Sequence, residues 1–221
     1  MSRITMNKDR FWAIIDEARQ STVNWKSMFE PLMDRLSVLD EKDIIKWGHI
    51  FDEYHVLADK EQISAAAYII LNGCNDDSFI YFRSWLIAQG KRVYHKALAD
   101  PESLANLKSV KIFAHEVSAC EYTPMSGYVY AARFEEMLSA AQIAHERSQH
   151  KSSEYNAMRK KFRLSKKEKA SIANNIIYAK NIDVQWVGTR DFIEIEEDKP
   201  RITVDKLLPK LYNAFNGGDI S

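Results

Sequence analysis

The sequence is poor in residues that interrupt or cross-link a chain. Its 221 residues include seven glycines, five prolines and two cysteines. So few glycines and prolines argue against a loop-rich or collagenous architecture and leave few chain breakers for a many-stranded sheet. Cys74 and Cys120 have no CxxC spacing, so we expect two reduced, buried thiols and a reducing compartment.

Net charge and long apolar runs are also absent. Thirty-one Lys and Arg balance thirty-one Asp and Glu, so the whole molecule generates no strong electrostatic steering field. The most apolar window, residues 65–71, is far shorter than the ~20 residues of a membrane span. The N-terminal residues lack the apolar segment of a signal peptide. We therefore expect a cytoplasmic protein that binds no membrane. The hydrophobic content of 46% excludes intrinsic disorder.

Helical periodicity dominates the chain up to about residue 150. Phe11, Ile14, Ile15 and Ala18 share one face of a first helix, and Asn7 stands where its N-cap is expected. A second helix near 24–38 should be kinked or begin late because it contains a proline. Further helices are predicted at about 40–54, 61–71, 77–89, 91–99 and 126–150. The sequence therefore predicts a mainly α fold with about six to seven helices in residues 1–150.

The composition changes after residue 144. Between His145 and Lys169, nine Lys or Arg stand against three acidic residues, a local excess of +6. Ser165 and Glu168 form a capping box before another helix. Short strands are predicted at 184–187, 192–195 and 202–204, followed by a helix from Asp205 to about 215. We expect residues 151–221 to form a small basic α+β domain.

One candidate site lies at the predicted helix over residues 77–89. This helix is apolar nearly all round, yet it contains Arg83, whose burial without a carboxylate would cost several kcal/mol. Asp76 and Asp77 lie near the helix start, and the side chain of Arg83 leans towards them. Two acids and an arginine could hold a cation or a polar ligand. The structural alternative is a helix cap with an internal ion pair.

The same segment carries a resemblance to a known family. The pattern Gly-Cys-x-Asp-Asp-x-Phe-x-Tyr-Phe-Arg-x-Trp-Leu-Ile-x-x-Gly, from Gly73 to Gly90, resembles the central motif of the bacterial domain of unknown function 4240. Four further stretches are similar to that family, at residues 11–19, 50–53, 65–68 and 97–104. The resemblance covers roughly residues 7–140. It implies a helical bacterial domain without an established activity, and it assigns no catalytic role to Asp76, Asp77 or Arg83.

A second candidate site is the basic stretch 155–169. Its cations could neutralise phosphates while an aromatic ring stacks on a base. Residues 164–178 resemble the start of a helix-turn-helix, but the extended chain expected at 181–195 argues against a recognition helix. Alternatively, the stretch docks on an acidic protein surface, or it is a solvated charged face. The candidate residues are Tyr155, Arg159, Lys160, Lys161, Phe162, Arg163, Lys166 and Lys167.

The sequence offers little support for a cofactor or a metal. No GxSxG, P-loop, GxGxxG or HExxH motif occurs. His49 and His55 fall on different faces of one helix. His115, Glu116 and Cys120 form a local His/Cys/carboxylate cluster, but a fourth ligand for zinc is missing nearby. We expect no cofactor and no metal.

These observations predict a non-enzymatic interaction module with a protein partner. A neutral compact helical body with a charged appendage and no catalytic constellation is typical of antitoxins and immunity proteins, which occupy a partner's surface. One alternative is a nucleic-acid-binding protein that uses residues 155–169. Another is an enzyme that uses the cluster of Asp76, Asp77 and Arg83.

Overall fold

The protein is described by a computed structural model that covers residues 5–21, 28–118, 136–149, 155–179, 185–187 and 201–216. Helices account for most of these residues. In chain order they are α1 (Lys8–Gln20), α2 (Phe29–Ser37), α3 (Glu41–Leu57), α4 (Glu61–Leu71), α5 (Asp76–Ala88), α6 (Lys91–Ala99), a 3-10 helix (Pro101–Asn106), α7 (Lys108–Ser118), α8 (Ala140–Gln149), α9 (Tyr155–Lys161), α10 (Lys166–Ala173), α11 (Val204–Leu207) and α12 (Pro209–Asn216). Two short strands, β1 (Gln185–Val187) and β2 (Arg201–Thr203), pair in parallel.

Helix starts follow the side-chain caps that the sequence predicts. The side chain of Asn7 accepts hydrogen bonds from the backbone N–H groups of Asp9 and Arg10, which confirms it as the N-cap of α1. Ser165 and Glu168 form the predicted capping box at α10. In both cases the side chain satisfies backbone donors that have no partner within the helix.

Helix ends and breaks depend on two prolines and an asparagine. α2 begins at Phe29, so Pro31 lies in the first turn, where its missing N–H costs no helical hydrogen bond. The prediction that α4 ends at Asn72-Gly73 is confirmed, with Asn72 itself left-handed at φ 53°. The prediction of one continuous C-terminal helix from Asp205 is wrong. Pro209 restricts the residue before it and begins a second helix, α12.

The chain forms two compact units that are interleaved along the sequence. Unit 1 comprises Met1–Leu57, Ser84–Arg92 and Ala132–Ile176, and unit 2 comprises Ala58–Arg83, Val93–Ala131 and Ile177–Ser221. Each unit is therefore built from three separate stretches, unlike the continuous domains 1–150 and 151–221 predicted from sequence. Whether those two stretches behave as separate domains stays a prediction.

Unit 1 is organised around α3. Phe11 and Trp12 of α1 stack against Trp47 and Tyr54 of α3, with ring centroids 4.7 to 5.3 Å apart. All four side chains are essentially inaccessible to solvent. On α3 only Lys42 and Val56 are exposed, because other helices cover its remaining faces. Because α3 is covered on several sides, its polar as well as its apolar side chains can contact neighbouring helices.

Unit 2 contains α4, the strand pair and α12. The alanine run of α4 is wholly buried, which allows close approach of neighbouring backbones. Leu104, Val110 and Leu211 complete this core with no exposed surface. The predicted strands at 184–187 and 202–204 correspond to β1 and β2. The predicted strand at 192–195 lies outside the described residues.

The mainly helical fold class is confirmed, while the α+β character of the C-terminal region rests on two three-residue strands. Cys74 is a free, buried thiol, as expected. Cys120 and the first part of the predicted helix 126–150 lie outside the described residues. Within the described parts of the chain, no helix is both long and apolar enough to cross a bilayer.

Candidate functional site

The start of α5 carries the first predicted site. The side chain of Asn75 caps this helix, with its Oδ1 2.8 Å from the backbone nitrogen of Ser78. Asp76 and Asp77 lie exposed in the first turn. Negative charge at this end complements the helix dipole, so the position of both acids is accounted for by helix stability.

Arg83 of α5 is buried, as the sequence predicts, with 9% of its surface exposed. Its Nη1 lies 3.1 Å from Oδ2 of Asp59 in the turn before α4. The guanidinium also lies 4.8 Å from the ring of Phe79, one helical turn earlier. A carboxylate and an aromatic face together offset the cost of burying this charge. Sequence reasoning missed Asp59 because 24 residues separate it from its partner.

The second predicted site is a pair of short helices, α9 and α10, joined by a turn at 162–165. We call residues 155–173 the basic helix pair. Its first residue, Tyr155, is 4% exposed and lies in the core of unit 1. The centroid of the Tyr155 ring lies 5.5 Å from that of His145. Tyr155 is therefore not a surface anchor.

The α9 side of the pair packs on α3 through polar contacts. Arg159 forms an ion pair with Asp52. Nε2 of His49 lies 2.9 Å from the backbone carbonyl oxygen of Arg159. Partial burial raises the pKa of Asp52 above its ordinary value, although the nearby guanidinium acts to lower it.

The α10 side of the pair repeats this arrangement. Lys169 forms an ion pair with Glu53 of α3. Nζ of Lys46 lies 2.5 Å from Oε1 of Glu168. The hydrogen bond from Lys46 and those from Ser165 lower the pKa of Glu168 from 4.5 to about 2. Glu168 thus caps α10 and attaches it to α3.

The other cations of the basic helix pair face solvent. We call them the outer cations: Lys160, Lys161, Arg163, Lys166 and Lys167. None of the five contacts a carboxylate among the residues that the structure describes. Between them Phe162 is half-buried, with the Nζ atoms of Lys161 and Lys42 lying 5.3 and 5.9 Å from its ring centroid. Two ammonium groups therefore lie near this half-buried ring.

Neighbouring α8 contributes a buried histidine that sequence reasoning missed. His145 has no exposed surface, and its Nε2 lies 2.8 Å from Oε1 of Glu41. Spacing between nearby histidines does not reveal this contact, because 104 residues separate His145 from Glu41. The signal available in the sequence was the position of His145 on the apolar side of a predicted helix.

Metal ligands do not converge in the described part of the chain. No group of three His, Cys, Asp or Glu side chains there is placed to hold an ion. The side chains of His115 and Glu116, and all of Cys120, lie outside the description.

The fold and the charged surface define a predominantly helical protein in which α3 of unit 1 carries a basic helix pair. Residues 6–147 match the sequence profile of a family described as protein of unknown function, DUF4240. The match spans more than half of the chain, so the chain belongs to this family, as its resemblance indicated. Comparisons with curated proteins and with solved structures give no match. The basic helix pair begins after the last matched residue, whereas its acidic partners on α3 lie within the match.

Proposed function

We propose that this protein is a non-enzymatic interaction module that binds an acidic surface of a partner protein through the outer cations. One observation carries the proposal, namely the division of charge on the basic helix pair. Arg159 and Lys169 are neutralised by acids of α3, while the five outer cations contact no described carboxylate. Charge that the described residues do not neutralise is available to a partner.

Physical chemistry favours an acidic partner for this surface. Clustered cations on ordered helices raise the encounter rate with an acidic surface and exclude basic ones. The exposed large hydrophobic side chains among the described residues all lie outside the basic helix pair. The surface therefore supplies steering and specificity, and its binding should weaken steeply as salt rises.

A protein partner is favoured over nucleic acid by two features. The ring of Phe162 is half-buried, so it offers less surface for base stacking than an exposed aromatic ring would. Residues 174–179, which follow α10, are not helical, so the described chain provides no second helix to enter a major groove at this point. The antitoxin and immunity class, in which a small protein occupies a partner's surface, fits such a module.

The test compares two variants with the same change in charge. Lys166→Glu with Lys167→Glu reverses two outer cations, and Lys108→Glu with Lys111→Glu reverses two exposed lysines of α7 as the control. Tagged wild-type protein and both variants are purified from the native host, and co-purifying proteins are quantified by mass spectrometry. A protein that is recovered with the wild type and the control is then purified, and its affinity is measured by calorimetry.

We expect the partner's affinity to fall at least tenfold for the outer variant and to change less than twofold for the control. Equal affinity for all three proteins would contradict the proposal. Fluorescence anisotropy with single-stranded DNA, duplex DNA and RNA oligonucleotides tests the nucleic-acid alternative. Oligonucleotide binding that the outer variant loses, without a protein partner, would replace the proposal by that alternative.

A further inference from the structure

The contacts between α3 and the basic helix pair are ion pairs of both polarities, one from a lysine of α3 and two from its acids. On α3, Lys46 and Glu53 are seven residues apart, which places them on one face two turns from each other. They meet Glu168 and Lys169, adjacent residues of opposite charge on α10. A third contact, from Arg159 to an acid of α3, attaches the other helix.

These opposite polarities favour one rotation of α10. One residue corresponds to about 100° around an α-helix, so a rotation that puts Lys169 in the place of Glu168 would bring Lys169 towards Lys46 and carry Glu168 away from it. That arrangement exchanges an ion pair for a contact between like charges and is unfavourable. The paired charges therefore disfavour this rotation.

Apolar anchoring of the pair favours the same orientation. Tyr155, Leu164 and Ile172 are buried, and burial of such side chains stabilises docking in proportion to area. A rotation of α10 by one residue would move Ile172 out of its buried position. The ion pairs and the apolar contacts therefore act together on the orientation of the pair.

We propose that Asp52 and Glu53 are positioning residues, which hold the basic helix pair in the rotation that turns the outer cations towards solvent. The orientation of the pair depends only on contacts within this chain. Its consequence for binding rests on the proposed function, because a misoriented pair would present a different set of charges to the partner.

The experiment is hydrogen–deuterium exchange of the full chain, followed on peptides from residues 155–173. Glu53→Lys places like charges together at Lys169, and Lys169→Glu does the same from the other side. The double variant Glu53→Lys with Lys169→Glu restores opposite charges with the signs exchanged. Two acids of α2 give a control for lost negative charge, as Glu30→Gln with Asp34→Asn, because Glu30 pairs with Arg147 outside the helix pair.

We expect each single variant to raise exchange in 155–173 about tenfold and the double variant to return it to within twofold of wild type. The α2 control should leave these peptides unchanged, and peptides of α1 serve as the internal reference for folding. A double variant as labile as the singles, or singles with no effect, would overturn the positioning role. Since no partner is involved, this result is independent of whether the outer cations bind one. If a charge reversal unfolds the chain, the milder variants Asp52→Asn and Glu53→Gln take its place. Each should raise exchange about threefold.

Discussion

Replacing Glu168 by glutamine should destabilise the protein at neutral pH and make little difference in acid. Oε1 of Glu168 lies 2.5 Å from Nζ of Lys46, and Oε2 accepts hydrogen bonds from both the backbone nitrogen and the hydroxyl of Ser165 at 2.7 Å. Glutamine preserves the shape and the ability to complete a capping box. The substitution therefore removes mainly the charge.

The magnitude follows from the lowered pKa of Glu168. A fall from 4.5 to about 2 corresponds to roughly 3 kcal/mol if fully expressed. The side chain is 39% exposed, so solvent and salt screen its interactions, and we expect about 1 kcal/mol in the free energy of unfolding. Because the folded-state pKa lies below the ordinary value, this stabilisation is complete above pH 4.5. It disappears as the pH falls towards about 2.

The assay is urea unfolding followed by fluorescence at pH 7, 4 and 2.5. Wild type should exceed Glu168→Gln by about 1 kcal/mol at pH 7, and the difference should shrink progressively at the two lower pH values. Glu61→Gln in the first turn of α4 controls for a lost carboxylate at a helix start and should cost less than about 0.5 kcal/mol. Ser165→Ala should cost about 1 kcal/mol at pH 7 by removing the cap, and less in acid because its hydroxyl also donates to the Glu168 carboxylate. A Glu168→Gln difference that is absent at pH 7, or constant with pH, would refute the reasoning.

Two glycines of unit 1 give further predictions, both measured by urea unfolding. Gly48→Ala places a methyl group 2.7 Å from Cβ of Ala141, and this overpacking should outweigh the better helix propensity of alanine, for a net cost of about 1–2 kcal/mol. An unchanged midpoint of urea unfolding would contradict the close packing of α3 on α8. Gly90→Ala should cost about 2–3 kcal/mol, because φ is +89° and the new Cβ would lie 2.2 Å from Oδ1 of Asp16. A stabilised Gly90→Ala variant would contradict this backbone description.

Local rules predicted much of the fold. Asn7 and the pair Ser165–Glu168 were identified as caps because the groups that satisfy a helix end lie within three residues of it. The predicted helices 61–71 and 91–99 likewise agree with the bounds of α4 and α6. The helix break at Pro209 was missed because the apolar residues on either side of it follow one continuous helical spacing.

The candidate site was predicted only in part. The excess of cations was evident from composition, but their division into paired and outer sets depends on Asp52 and Glu53, which lie more than 100 residues earlier. Arg83 was expected to meet a carboxylate, yet nothing local identified Asp59. Burial of Tyr155 depends on packing against α8, which no sequence period encodes. The sequence therefore predicted most helices but not the contacts between distant segments.

The central claim, that the outer cations are covered by a partner protein, is tested most directly by footprinting lysines inside the native host. Cells and purified protein are treated with an amine-acetylating reagent, and modification is quantified by mass spectrometry relative to Lys108 and Lys111. The account predicts that Lys160, Lys161, Lys166 and Lys167 are acetylated at least threefold less in cells, and that this protection survives nuclease treatment of a gentle lysate. Equal acetylation in cells and in purified protein, or protection that nuclease abolishes, would contradict it.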